Sequence, residues 1–224
     1  MNMNLKEYET LGIVLDIKNT KENDGLVKVL LPNSIEYLYA RGIQKAESKN
    51  RANLQILSLV NLEIINPKIS TGIKTLKRAT IIKSFPFNEI LQDQYNTVKY
   101  FLNKQLRSNQ LNSFMNFYLE CLDNIEKYPN HTIDLFLLKI IEINGLKPIF
   151  NKCVECSNTE NIIDFEFYKG GFLCSNHSKN NKSVEILRSL YWLNQGFNPF
   201  IKNVKDLEAK TIKIMLLDYL KNII

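Results

Sequence analysis

Cys153-Val-Glu-Cys156, followed after seventeen residues by Cys174-Ser-Asn-His177, is the stretch on which the reading of the fold turns. Two pairs with two-residue spacers let two short turns aim four side chains at one ion. Three thiolates and one imidazole select zinc over hard cations such as magnesium. Between the pairs, residues 162–168 alternate and β-branch like a strand, Lys169-Gly170-Gly171 reads as its turn, and Phe172-Leu173 leads back to the second pair. The expected unit, within residues 150–178, is a hairpin clipped at its base by Zn2+ on Cys153, Cys156, Cys174 and His177. Protein fills all four positions and leaves none open for a water nucleophile, so the ion is read as structural.

Helical periodicity flanks this hairpin on both sides. Upstream, Asn88 caps a helix carrying Leu91, Tyr95, Val98, Leu102 and Leu106. Leu111, Phe114, Tyr118, Cys121, Leu122 and Ile125 mark a second helix, on which Cys121 is a core residue rather than a ligand. A third, opened by Asn130, carries Ile133, Phe136, Leu137, Ile140 and Ile141 and ends at Asn144-Gly145, with Pro148 beyond. His131 lies in its first turn, away from other ligands, and is expected at the surface. Downstream come a helix over residues 183–195, with Trp192 expected in the core, and a last one with Leu207, Ile214, Leu217, Leu220 and Ile224 on one side. The hairpin is therefore an insertion into a helical domain.

The first eighty residues have another period. Leu11, Ile13, Leu15 and Ile17 alternate along one strand, Asn23-Asp24-Gly25 turns the chain, and residues 26–31 form a second strand ending at Pro32. Residues 34–40 give a third. Leu54, Ile56, Val60, Leu62 and Ile64 share one face of a fourth, Asn66-Pro67 breaks it, and residues 73–82 supply a fifth. Five strands without an intervening helix suggest a small closed barrel of OB type. The expected class is multidomain α+β, with an OB-fold domain over residues 1–83 and a helical domain over 84–224.

Charge is concentrated on the barrel. The whole chain has 29 basic and 23 acidic residues, a net +6 and a pI near 9.0. Residues 64–88 contain Lys68, Lys74, Lys77, Arg78 and Lys83 and no acid; the connection after the third strand adds Arg41, Lys45, Lys49 and Arg51 against Glu47. Together these exceed the whole-chain excess. A basic groove on such a barrel suits a phosphate backbone, with Tyr37 and Tyr39, on one face of the third strand, as possible stacking platforms. Arg41, Lys45, Lys49, Arg51, Lys68, Lys74, Lys77 and Arg78 are the expected DNA-binding residues. Strict alternation points Lys74 and Arg78 one way and Lys77 the other, so all three can line one groove only across a bulge.

A 45% hydrophobic, 23% charged composition is globular. The start shows no apolar stretch behind a basic patch, and the greasiest run, residues 135–143, is broken by Lys139 and Glu142 and falls short of the ~20 residues that span a bilayer. Thiols arranged for metal rather than disulfides point to the cytoplasm. No cluster of spaced carboxylates suggests two-metal hydrolysis, so no enzyme is expected.

The chain resembles the recombination mediator RecO family along essentially its whole length. Glu9-Thr-Leu-Gly-Ile-Val-Leu15 looks like that family's first strand, and Ala40-Arg41-Gly42 with Lys45, Ser48, Lys49 and Leu54-Gln55 is similar to its basic loop. Gly72-Ile-Lys-Thr-Leu76 with Ser84-Phe85-Pro86 resembles the end of its barrel, and Gly145-Leu-Lys-Pro148 the entry to its zinc module. Many zinc-bearing members have a cysteine where this chain has His177, and some lack a complete site, so the resemblance does not tie the ion to the family's activity. It implies a cytoplasmic, nucleoid-associated protein of the DNA-damage response. Such a protein binds single- and double-stranded DNA, anneals complementary strands and engages the C-terminal tail of single-strand-binding protein. With RecR it helps load RecA, and it has no membrane partner. The alternative from another class is an adaptor whose basic surface meets an acidic peptide.

Overall fold

The computed structural model describes residues 6–20, 22–69, 71–104 and 112–223; the expected helix positions Leu106, Leu111 and Ile224 lie outside them. Packing groups the chain into two units, Met1–Asp123 and Asn124–Ile224.

In the first unit, β1 (Glu7–Asn19), β2 (Gly25–Leu30), β3 (Ile35–Ala40), β4 (Leu59–Ile65) and β5 (Thr75–Lys83) form a closed barrel in the order β1-β2-β3-β5-β4. Every pairing is antiparallel except β3 with β5, and β4 closes the ring on β1. Val14, Val27, Val29, Leu38, Val60, Leu62 and Ile64, all with no exposed surface, make its interior. The phase of β1 differs from simple alternation. A register shift between Val14 and Asp16 switches sides, so Val14 and Ile17 pack into the barrel. Ile13 and Leu15 are buried outside that cluster, on a strand that α1 (Gln92–Lys104) approaches. A bulge inserts one residue and so exchanges the faces of everything beyond it.

The fourth strand begins later than its apolar pattern suggests. A 3-10 turn at Arg51–Asn53 and a left-handed Leu57 (φ 65) occupy the stretch before Leu59, although Leu54 still reaches the core. Asn88 does cap the first helical segment, its side chain accepting from the Leu91 amide at 3.0 Å. α2 (Asn112–Asn124) is tied to the barrel by Tyr118, whose hydroxyl donates to the Leu57 carbonyl at 2.8 Å. Cys121 is buried beside it, as its position on the apolar stripe requires.

In the second unit, α3 (Pro129–Ile143) is buried almost all round and packs along α6 (Asp206–Ile223), with α4 (Val184–Leu193) and α5 (Phe197–Asn203) beside them. A helix apolar on every side belongs at the centre of its unit. Three expectations are corrected. His131 is buried, with Nε2 at 2.8 Å from the Val204 carbonyl. Trp192 is only half-buried. On α6 the core stripe is Ala209, Ile212, Leu216, Tyr219 and Leu220, while Leu207 and Ile214 are exposed. Among the described residues no helix is long and apolar enough to cross a membrane.

Candidate metal centre and nucleic-acid interface

β6 (Ile162–Glu166) and β7 (Gly171–Cys174) form the hairpin, joined by a 3-10 turn at Phe167–Lys169 and a left-handed Gly170. Its apolar side is a ring cluster: Phe165 lies 4.8–5.3 Å, centroid to centroid, from Phe150, Phe167 and Phe172, and Phe167 stacks on Tyr219 of α6. The incoming chain adds a third edge. Ile149 donates to the Gly170 carbonyl (2.8 Å) and accepts from the Phe172 amide (3.2 Å), which brings the Ile149 oxygen to 2.2 Å from where a Cβ on Gly171 would sit. Only glycine fits there, and its φ of +143° is one that side-chain-bearing residues avoid.

At the base of this hairpin Cys153, Cys156, Cys174 and His177 converge, their ligand atoms all within 4.8 Å of one another. The Cys156 and Cys174 sulfurs are 3.7 Å apart, and His177 Nδ1 lies 3.3 Å from Cys174 and 3.7 Å from Cys153. A tetrahedral zinc ion with bonds of about 2.3 Å to sulfur and about 2.0 Å to nitrogen needs edges of about 3.8 and 3.5 Å. These three of the six edges match a tetrahedral ion. Local backbone bonds fix it: the Cys153 carbonyl accepts from the Ser157 amide, the Cys174 carbonyl from the His177 and Ser178 amides, and the Val154 amide reaches the Phe172 carbonyl.

The electrostatics divide the four ligands, lowering Cys153 and Cys174 and raising Cys156 and His177. Burial disfavours the Cys153 thiolate, but amides of Cys174, Cys156 and Glu155 outweigh it and bring the thiol from 9.0 to about 6. The His177 hydrogen bond lowers Cys174, and the same bond raises His177. Behind the site, the buried Asp164 accepts from Ser178 Oγ at 2.7 Å and lies 3.4 Å from Lys182 Nζ, so the segment after His177 is clamped back onto β6.

On the barrel, the basic residues fall into two groups. The loop cations Arg41, Lys45, Lys49 and Arg51 and the turn cation Lys68 are exposed, and no ion pair with a described carboxylate involves them. Asp24 organises the loop's start, accepting from the Gly42 amide at 2.8 Å and from the Tyr39 hydroxyl, a bond that raises the Tyr39 pKa. The hydroxyl of Tyr39 is thereby engaged, whereas Tyr37 is exposed.

The cations on β5, and Lys74 just before it, are already countered. Lys74 pairs with Glu36 at 2.7 Å, Lys77 with Glu7 at 2.7 Å and Glu63 at 3.5 Å, Arg78 with Glu63 at 3.8 Å, and Lys83 with Asp123 at 2.8 Å. A run without acids in sequence is thus opposed in space by carboxylates from strands β1, β3 and β4 and from α2. The bulge that common alignment requires is present: Glu63 pairs with Arg78 and Ile64 with Leu76, so Lys77 is the extra residue. Lys77 and Arg78 are consequently both exposed between the buried Leu76 and Ala79, and with Lys49, Asn50, Asn53 and Glu63 they line a cavity of about 540 Å3. Asn50 and Glu63 could not be picked out from sequence, because neither belongs to a spacing motif.

An N-terminal barrel with a basic loop, followed by helices that hold a Cys3His cluster, defines an α+β protein joining a small barrel to a metal-competent helical unit. Comparison with known proteins makes this specific. The chain belongs to the RecO family: residues 3–85 match the model for the recombination protein O N terminal and residues 96–188 that for its C terminal. It is similar to the DNA repair protein RecO of Enterococcus faecalis, 27% identical over 75% of this chain and 66% of that protein, just under two thirds of its length. The proteins of the same name from Acetivibrio thermocellus and Mesoplasma florum are each 26% identical, over 79% and 87% of this chain and 72% and 76% of theirs.

Proposed function

We propose that the chain is a non-enzymatic DNA-binding mediator of recombinational DNA repair. Its cytoplasmic, nucleoid-associated work is to bind single- and double-stranded DNA and anneal complementary strands. In concert with RecR and the tail of single-strand-binding protein, it promotes RecA loading. Family membership supports the repair role. The strand order β1-β2-β3-β5-β4 with a single parallel pairing supports the OB type for the barrel of residues 1–83, ahead of a helical domain over 84–224. The convergence of the Cys3His donors, three of whose edges match a tetrahedron, supports a structural Zn2+, whose contribution is to clip the hairpin.

The observation that carries the DNA-binding reading is the bulge on β5, which turns Lys77 and Arg78 to one side beside Lys49. Together with Arg41, Lys45, Arg51, Lys68 and Lys74, these cations neutralise phosphates and release counterions, so annealing is assisted by charge screening rather than bond chemistry. Each single-strand phosphate contact adds about 0.7 to the slope of log affinity against log salt. Lys77→Ala with Arg78→Ala, titrated by fluorescence anisotropy on a single-stranded oligonucleotide, is expected to lower both affinity and slope. Unchanged values would show that this surface is misassigned.

A further inference from the structure

The cavity at the β5 bulge differs from a plain basic patch in two respects. Its floor is held by an uncharged side chain: Asn50 Oδ1 accepts from the Ala79 amide at 2.9 Å, and Asn50 Nδ2 reaches the Lys77 carbonyl at 3.3 Å. One amide side chain thus takes the place of a neighbouring strand across the bulge and fastens the basic loop to it. Asn53, which also lines the cavity, in turn donates to the Lys49 carbonyl at 2.9 Å, which holds the lysine's backbone at the rim. The second respect is the carboxylate in the lining. Glu63, on the adjoining strand, lies between the two cations, 3.5 Å from Lys77 Nζ and 3.8 Å from Arg78 Nη1.

Both distances are longer than the 2.7 Å at which Glu7 holds Lys77. Glu63 is therefore shared loosely between two donors, and its side chain is only 26% exposed while that of Arg78 is 69% exposed. A guanidinium so exposed can turn from a carboxylate to a phosphate without breaking any other bond that the structure gives it. An incoming phosphodiester must in the same movement approach the Glu63 charge, which its own charge repels.

We infer that Glu63 is a built-in competitor at a phosphodiester subsite formed by Lys49, Lys77 and Arg78 on the Asn50-pinned bulge, so that nucleic acid binds there by displacing a carboxylate. This rests on the reading of the barrel as a DNA-binding surface and adds to it a residue that opposes binding. Occupancy is reversible by construction, because each phosphate that leaves is replaced by an internal anion rather than by water alone. Removing that anion is expected to strengthen binding by about two- to fivefold at low salt, the span of an exposed ion pair, and the gain is expected to fade as salt screens it.

The test is a fluorescence anisotropy titration of labelled single-stranded oligothymidylate with the full chain between about 50 and 200 mM salt, where phosphate contacts dominate affinity. Glu63→Gln keeps the side-chain shape; Glu63→Thr, a good strand former, takes its place if thermal melting shows that the first variant is unfolded. Tighter binding that converges on wild type at high salt supports the inference. Equal or weaker binding by the folded variant overturns it, provided that the Lys77→Ala, Arg78→Ala double variant binds less than wild type. If that double variant binds as wild type does, the DNA-binding reading of this surface fails, and the inference with it.

Discussion

Gly171→Ala probes the hairpin at its tightest point. The new Cβ would stand 2.2 Å from the Ile149 carbonyl oxygen and 2.8 Å from its nitrogen, both backbone atoms that no rotamer change can move. Relief requires β7 and residue 149 to separate, which breaks the bonds from the Ile149 amide to Gly170 and from the Phe172 amide to Ile149. Two hydrogen bonds at about 1 kcal/mol each, with about 1–3 kcal/mol for a side-chain-bearing residue at an unfavourable φ, give a loss of about 3–5 kcal/mol. In a unit of about 100 residues each kcal/mol lowers Tm by roughly 4–8 °C, so a drop of at least about 10 °C is expected by differential scanning calorimetry. Gly170→Ala is the control, since Gly170 has φ +86° but nothing within 4 Å of its added Cβ. It should cost only about 1–2 kcal/mol of left-handed strain. Equal shifts for the two variants would refute the close approach between β7 and residue 149.

Other perturbations separate the metal, the aromatic core and the buried charge. Cys153→Ser is expected to lose bound zinc by elemental analysis and to lower the melting temperature of the second unit while leaving oligonucleotide affinity near wild type; loss of metal without loss of stability would contradict a structural ion. Phe165→Ala, removing the ring that meets Phe150, Phe167 and Phe172, is expected to cost about 3–5 kcal/mol in urea denaturation. Burial pushes the Asp134 carboxyl well above its ordinary 3.8, with Lys213 pulling down and Asp206 pushing up, and neither oxygen has a hydrogen-bond partner among the described residues. Its folded form therefore stays protonated while the unfolded form ionises, so stability present below 3.8 is lost as pH rises towards the folded value. Asp134→Asn should accordingly be more stable than wild type at neutral pH, by a margin that grows with pH; a margin independent of pH would show that Asp134 is ionised in the fold.

The Cys3His cluster was legible because its chemistry lies in covalent spacing: a turn of two residues between donors brings ligand-type side chains together wherever the hairpin sits. The barrel strands were legible from their alternation, but its phase was not. One extra residue near Leu15 exchanges the faces of β1, and nothing in that apolar run distinguishes a bulge from its neighbours. On α6 the apolar residues counted in sequence, Leu207 and Ile214, face out, while Ala209 and Tyr219 belong to the core, because contact with α3 and α4 selects the stripe. The basic surface was half legible. The cations of residues 64–88 stand out by count, yet their partners Glu7, Glu36, Glu63 and Asp123 come from other elements, and only strand pairing brings those carboxylates to them. Asn50 and the buried His131 illustrate the same limit, since each owes its role to a backbone group about 30 or more residues away.

The most direct measurement of the mediator reading is the rate at which the chain anneals complementary strands that are both coated with single-strand-binding protein. Wild type is expected to accelerate annealing of the coated strands, and the Lys77→Ala, Arg78→Ala double variant to do so less. A wild-type protein that anneals naked strands but fails on coated ones would contradict the account, leaving a generic basic barrel.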